Sequence, residues 1–166
     1  MATSTTYFSY GAPTALTCTL ANLATGAART SDAQDMTASV GIGRPIDVLF
    51  SLKLTLTTGA ATGNDNAVYI YPYATVDEVN YTMNATGVDA AYTIVTDIAY
   101  LGPFVISFPT ATGAPSWVGG PWSLATVFGG TMPKRWGIIV YNRTNSILNT
   151  ATTMTATYMK VWNVTE

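Results

Sequence analysis

The side chains that most often do chemistry in enzymes are sparse in this chain and poorly spaced for it. The sequence contains no histidine, which removes the commonest general base and a common metal ligand. No Ser or Thr therefore has an imidazole to activate it, and no Lys follows a Ser at the Ser-x-x-Lys spacing. The neighbouring carboxylates of Asp77 and Glu78 point apart on an extended chain, so they cannot flank a glycosidic bond. We therefore predict that the chain is not an enzyme and has no catalytic residues.

The sequence also lacks a convincing metal or redox site. Asn64, Asp65 and Asn66 resemble half of a calcium loop, but the further oxygen ligands and the bidentate Glu that such a loop needs do not follow. We interpret this segment as a hairpin turn. The single Cys18 lies in an alternating run and is predicted to be a small buried or half-buried side chain. We predict no metal and no cofactor.

Aromatic side chains offer the chain's best candidates for binding. Tyr69, Tyr71 and Tyr73 alternate and so share one face of a predicted strand. Such a stripe can be an outer sheet face packed under a loop, a protein interface or a sugar-binding surface. Trp117 and Trp122 flank a Gly-Gly-Pro segment and are either an interface tip or a plug at a corner of the fold.

The elements that must position these residues are strands. Between residues 47 and 58, one face of the alternation is apolar and the other, apart from Leu49, is polar. This pattern predicts a half-buried antiparallel strand whose buried residues are Val48, Phe50, Leu52, Leu54 and Leu56.

Further strands are predicted at 67–75, 100–108, 134–142 and 153–164. Pro72 suggests an edge or a bulge in the second long strand, and a change in apolar phase after residue 156 suggests a bulge in the last. The segment 110–121 is predicted to be a long Gly/Pro loop.

Between that loop and the next strand, the sequence predicts one short helical turn. Ser123 can cap the turn, which runs to Phe128, and Gly129 can end it.

These elements predict an all-β chain, an antiparallel β-sandwich (jelly roll) of about eight strands. Residues 36–166 form its single domain. Residues 22–34 are small and polar, and residues 3–35 have too little apolar content to fold alone. We therefore predict that residues 1–35 form an extended N-terminal arm that orders on a neighbouring subunit, by strand addition, or on the capsid.

Composition limits the partners. Of the 166 residues, 48% are hydrophobic and only 10% are charged, with a net charge of −2. Because soluble domains carry about 25% charge, this favours a surface covered by a partner, although a monomer with a Thr-rich surface is the alternative. The chain has no run of basic residues that would indicate nucleic-acid binding, and it has no apolar run long enough to span a membrane. The N-terminus lacks the pattern of a secretory signal, so we expect synthesis in a cytoplasm.

Two segments carry a family resemblance. The first is residues 27–35, Ala-Ala-Arg-Thr-Ser-Asp-Ala-Gln-Asp, and the second is residues 120–144, which include Phe-Gly-Gly, Pro-Lys-Arg-Trp-Gly-Ile-Ile-Val and Asn-Arg-Thr. Together they resemble small virion proteins of tailed bacteriophages, of the jelly-roll capsid decoration (cement) type. These segments set a fold and contain no site, so they indicate family better than role.

The resemblance implies a structural virion protein that is made in the host bacterial cytoplasm and lies on the capsid exterior. It also implies a homotrimer that binds between major capsid protein subunits and stabilises the shell. The alternative is a head-fibre or tail module that binds host-surface glycans. A hydrolase is the third hypothesis and would require clustered acids in a cleft. The residues predicted to lie at an interface are Arg29, Asp35, Tyr69, Tyr71, Tyr73, Trp117, Trp122, Lys134 and Arg135. Lys134 and Arg135 either pair with capsid acids or begin a strand in solvent.

Overall fold

The structure is a computed structural model. It describes residues 6–37, 43–57, 66–94, 103–108, 114, 116–149 and 155–165. In this part of the chain, strands dominate, with one turn of α-helix, α1 (Leu124–Val127), and one 3₁₀ turn at Thr82–Asn84. The strands are β1 (Thr6–Tyr10), β2 (Thr14–Ala15), β3 (Ala28–Thr30), β4 (Gln34–Asp35), β5 (Asp47–Thr55), β6 (Ala67–Thr75), β7 (Ala90–Tyr92), β8 (Phe104–Ser107), β9 (Ser116–Ser123), β10 (Arg135–Asn142) and β11 (Thr155–Thr165).

The strands form two antiparallel sheets with the connectivity of a jelly roll. One sheet has the order β1-β11-β5-β9, with β2 also on β11, and the other has the order β7-β3-β10-β6-β8, with β4 also on β10. Apart from the short strands β2, β4 and β7, eight strands remain, and among them β1 pairs with β11, β3 with β10, β5 with β9 and β6 with β8. The first of the eight therefore pairs with the last, the second with the seventh, the third with the sixth and the fourth with the fifth. This nested pairing, divided between two sheets, is the jelly-roll pattern. The predicted all-β sandwich is confirmed.

The main core lies between the sheets and is built from the predicted alternation. The five apolar residues predicted to be buried in the first long strand are all fully buried. From the facing sheet, Trp136, Ile138 and Val140 of β10 are also fully buried. Successive strand residues point to opposite faces, so this pattern alone directs one face of each strand inward.

A second, smaller core lies on the outer face of the sheet that contains β6 and β10. The segment 81–94, which connects β6 towards β8 and includes β7, covers this face. Ala28, Tyr71, Tyr73 and Ile139 are its buried members from the sheet, and Ala85 comes from the covering segment. Of the three readings of the tyrosine stripe, packing under a loop is therefore the one observed for Tyr71 and Tyr73.

The described part of the predicted arm is extended, but it belongs to the sandwich. β1 and β2 pair with β11, and β3 and β4 pair with β10, all in the same chain. Leu16 and Leu20 of the arm are buried in the main core, as is Met36 directly after it. The strand addition that the sequence predicts onto a neighbour is thus made here onto the chain's own sheets, because these widely spaced apolar residues reach a core that a short sequence window does not show. Residues 1–5 lie outside the described part.

The segment predicted to be a Gly/Pro loop is a strand from Ser116 onward. β9 pairs with β5, and the register shifts between Phe50 and Leu52. The prediction of a loop through residue 121 is wrong, because this irregularity accommodates Gly119, Gly120 and Pro121 within a paired strand.

The bulge predicted in the last strand is also absent. The pairings of β11 with β5 and with β1 run without a register shift over the described residues. The apolar phase changes because Ala156 and Tyr158 face the core, whereas Met159 and Val161 lie on the other face of the strand. The strand therefore contributes apolar side chains to both faces of its sheet.

Other local predictions hold or fall outside the described residues. β6 lies between β10 and β8, but its described pairing with β8 stops at Ile70, so no described strand lies on that side of Pro72. The turn-forming residues 59–66 lie outside the described residues except for Asn66, and so do residues 100–102 of the strand predicted at 100–108. The Asn64 and Asp65 pair is thus not described.

Candidate protein-binding surface

The predicted tyrosine stripe is mostly interior. Tyr73 is fully buried, and its hydroxyl donates a hydrogen bond to the Ser31 carbonyl oxygen at 2.6 Å. Burial raises the pKa of Tyr73, so the hydroxyl stays protonated as this bond requires. Tyr71 is buried as well, while Tyr69 is half-buried and stacks on Tyr71 with ring centroids 6.4 Å apart. In this chain Tyr71 and Tyr73 are core residues, which corrects their prediction as interface residues.

The two predicted tryptophans have different environments. Trp122 stacks between Phe104 and Phe50, with centroid distances of 4.9 and 5.8 Å, so it plugs an end of the core. Trp117 meets Phe108 edge-on and remains 39% exposed. Of this pair, only Trp117 presents an indole ring at the surface.

Arg29 is engaged with its own chain. Its guanidinium forms an ion pair with Asp89, which also accepts hydrogen bonds from the backbone and side chain of Thr19. Burial by itself would raise the pKa of Asp89, but the hydrogen bonds from Thr19 and Arg29 outweigh it and hold the pKa below its usual value. Nearby, burial raises the pKa of the Cys18 thiol to about 12, so that this cysteine is a poor nucleophile at neutral pH. The cluster ties β3 to the covering segment.

The Asp89 cluster predicts a pH dependence of stability. A carboxyl whose folded pKa is depressed stabilises the fold above its unfolded pKa, and this contribution is lost as pH falls through the folded value. We expect the Asp89→Asn variant to lose less unfolding free energy than the wild-type chain between pH 7 and pH 3, although it is less stable at pH 7. Urea titrations at the two pH values measure this, and equal losses in both proteins would contradict it.

Asp35, Lys134 and Arg135 do come together, at one end of the sandwich. Glu78 lies 2.6 Å from the Lys134 ammonium and 3.1 Å from the Arg135 guanidinium, and Asp35 lies 4.0 Å from Arg135. The positive charges that the sequence offers to capsid acids are therefore balanced within the chain. Beside them, Arg44 donates to the Met132 carbonyl oxygen at the rim of a cleft of about 410 Å³.

A surface that the sequence analysis missed lies on the outer face of the β1-β11-β5 sheet. We call it the outer groove; its volume is about 380 Å³, and its principal lining residues are Phe8, Tyr10, Ile46, Asp47, Leu49 and Val161. Phe8, Tyr10 and Ile46 are 63%, 59% and 41% exposed. Two signals pointed to it: Leu49 is the apolar exception on a polar strand face, and the apolar phase of β11 changes before Val161.

The only carboxylate in the lining of the outer groove is already used. Asp47 accepts a hydrogen bond from the Ser123 hydroxyl at 2.7 Å and from the Ala125 backbone N–H at 2.8 Å. It thereby caps α1, a role that the sequence assigned to Ser123, whose own side chain makes no cap bond. As predicted, the helical turn ends before Gly129. What the groove offers a ligand is therefore apolar and aromatic surface, which suits protein side chains.

The acidic side chains of the described residues are all engaged within the chain. Each accepts a hydrogen bond or forms an ion pair; they are Asp32, Asp35, Asp47, Asp77, Glu78 and Asp89. Among the same residues, no group of three or more His, Cys, Asp or Glu side chains could hold a metal ion. No helix in the described part is long and apolar enough to cross a membrane.

No protein family model, no curated protein and no solved structure matches this chain. The class of protein is therefore defined by what the fold and surface show: an all-β sandwich with jelly-roll connectivity and an exposed apolar groove on one outer sheet face.

Proposed function

We propose that this chain is a structural virion protein that decorates a phage capsid and stabilises it by binding between major capsid protein subunits. The observation that carries the proposal is the outer groove, because three large apolar side chains stay 41% to 63% exposed on one sheet face. A solvent-facing jelly roll gains nothing by exposing them, whereas a chain that works against another protein does. The charge-poor composition and the resemblance of residues 27–35 and 120–144 to decoration proteins support the same proposal.

The stabilisation follows from mass action. A protein that binds the assembled shell but not the separated subunits lowers the free energy of the assembled state and leaves that of the separated subunits unchanged. At a free concentration of about 100 times the dissociation constant, each occupied site contributes about 2.7 kcal/mol. Many sites on one particle add up, so even a modest affinity resists expansion of the shell.

The glycan-binding alternative has less support. It rested on Tyr69, Tyr71, Trp117 and Trp122, and of these Tyr71 is buried and Trp122 is stacked between two phenylalanine rings. Among these four residues only Trp117 is exposed, whereas Tyr69 and Trp122 are half-buried. One exposed ring among the four is a weaker sugar platform than the predicted stripe.

Sedimentation with capsids tests the proposal. Shells of the virus that encodes this chain, prepared without it, are mixed with the purified protein and pelleted. We expect the chain to pellet with assembled shells, to stay in solution with unassembled capsid protein, and to raise the melting temperature of the shells. Failure to pellet at micromolar concentrations would overturn the proposal.

Two surface variants make the test specific to the outer groove. Ile46→Asp places a charge at the rim of the groove, and we expect at least about tenfold weaker binding, since a desolvated unpaired charge opposes an apolar contact. Val118→Asp is the matched control: Val118 is 66% exposed and lies opposite the exposed Lys53, outside the groove, in the same sheet. We expect Val118→Asp to bind like the wild type. An equal loss of shell binding in both variants would contradict the assignment of the binding surface to the outer groove.

A further inference from the structure

β1 forms an edge of its sheet without the features that usually block edge-to-edge pairing. Its pairing with β11 covers Thr6–Tyr10 without a register shift, and no described strand pairs with its other side. The strand contains no charged residue, no proline and no bulge, which are the devices that protect sheet edges. Instead it exposes Tyr7, Phe8 and Tyr10.

The direction of the unpaired backbone groups follows from one hydrogen bond. The Gly11 N–H donates to the Lys160 carbonyl oxygen at 2.9 Å, so Gly11 faces β11. The backbone N–H and C=O groups of successive residues point to alternate sides of a strand, so those of Tyr7 and Ser9 also point towards β11. The N–H and C=O groups of Thr6, Phe8 and Tyr10 point the other way, towards the unpaired edge. Phe8 therefore lies at the centre of three outward-facing residues.

We propose that this edge pairs with β1 of a second copy of the chain, antiparallel about a two-fold axis at Phe8. In that register Phe8 faces Phe8 of the second copy in a hydrogen-bonded pair, and Thr6 faces Tyr10 in both directions. Each outward N–H and C=O of the three residues then meets its counterpart. The strand is thus self-complementary in length, in hydrogen bonding and in its lack of charge, which is what an isologous contact requires.

The side chains suit the same arrangement. Thr6, Phe8 and Tyr10 share one face of β1, so the pairing sets two phenylalanines opposite each other, and each tyrosine opposite a threonine. Aromatic cross-strand pairs stabilise a sheet. With a two-fold axis perpendicular to the sheet, the outer grooves of the two copies open on the same side. The contact therefore enlarges the apolar face rather than hiding it.

The size of the contact sets the expected affinity. A five-residue strand pair with partly covered aromatic side chains buries about 1,000 Å² in total, near the lower limit for a specific interface. We expect a dissociation constant in the micromolar range and a mass that doubles with concentration. The homotrimer implied by the family resemblance would be a separate contact around a different axis.

Mass measurements on the full chain test the pairing without any capsid. Phe8→Lys sets two ammonium groups opposite each other across the two-fold axis and should weaken association at least about tenfold. Val118→Lys, at a position of similar exposure on the opposite edge strand of the same sheet, is the control and should associate like the wild type. Sedimentation equilibrium from 1 to 200 µM gives the masses. A wild-type chain that never increases in mass, or an increase that Phe8→Lys leaves unchanged, would overturn the proposal.

A cross-linking experiment tests the register. In a Cys18→Ala background, Phe8→Cys places two thiols in directly opposed positions, where the Cα atoms are about 5.5 Å apart and a disulfide can form. Tyr7→Cys in the same background faces Ser9 of the second copy, so its two thiols are too far apart to bridge. We expect a covalent dimer from Phe8→Cys only. Efficient cross-linking through Tyr7→Cys would disprove the register. Both tests use the chain without capsids, so their failure would overturn the pairing and leave the proposed capsid binding to its own sedimentation test.

Discussion

Gly137→Ala is expected to lower the free energy of unfolding by about 3 kcal/mol, at the upper end of what overpacking a core usually costs. A methyl group at Gly137 would lie 2.3 Å from the ring carbon Cζ of Tyr73 and 2.4 Å from its hydroxyl oxygen. The ring cannot withdraw easily, because it is fully buried and its hydroxyl is bonded to Ser31. Ser31 is itself fixed, since its hydroxyl oxygen accepts a hydrogen bond from the Ile138 N–H at 3.0 Å.

Urea denaturation of the single and double variants measures this effect. Tyr73→Leu removes the ring atoms that the new methyl group would meet, so Gly137→Ala should cost much less in the Tyr73→Leu background than alone. An additive double variant, or a neutral Gly137→Ala, would show that the Tyr73 ring does not pack on Gly137. The result matters for function, because a ring held this way is part of a core and unavailable to a sugar or a capsid.

The sequence predicts the inside of the sandwich well because strand periodicity is local. The alternation in β5 and β10 identifies the residues that are buried between the two sheets. The short helical turn is also found where it was predicted, after Ser123 and before Gly129. The alternation of apolar residues cannot show which other part of the chain covers each face of a strand. The tyrosines of β6 alternate as an exposed stripe would, yet the segment 81–94 folds over them.

The candidate surface was harder to predict for the same reason. Asp47 caps a helical turn 78 residues away along the chain, and Phe8 comes to lie near Leu49 only because β11 pairs with both β1 and β5. Neither relation has a local sequence pattern. The apolar residues Leu49 and Val161 were visible as irregularities in otherwise regular strands, and such exceptions are where a second, outward-facing apolar surface begins.

The Gly/Pro segment was predicted to be a loop for a sound local reason that long-range pairing overrides. Gly and Pro weaken strands, and residues 110–121 contain three glycines and two prolines. In β9 they are tolerated because the register shift opposite Phe50 and Leu52 requires a residue with a left-handed backbone close to its neighbour. Gly120, with φ of +98°, is that residue.

Gly120→Ala is accordingly expected to lower the free energy of unfolding by about 3 kcal/mol or more. Part of the cost is the positive φ, which an L-residue adopts at about 1–2 kcal/mol. The larger part is the close approach to β5: a methyl group at Gly120 would lie 2.6 Å from the Phe50 carbonyl oxygen and 3.0 Å from the Ser51 Cα. Both atoms belong to a backbone that is paired on its other side with β11, so neither strand can move away cheaply.

Gly129→Ala separates the two contributions. Gly129 also has a positive φ, of +73°, but nothing lies within 4 Å of a methyl group placed there. It should therefore cost only the conformational part, about 1 kcal/mol. Thermal or urea unfolding of both variants gives the difference. If Gly120→Ala cost no more than Gly129→Ala, β9 would not approach β5 at Gly120, and the loop that the sequence predicts there would be the better description of the segment.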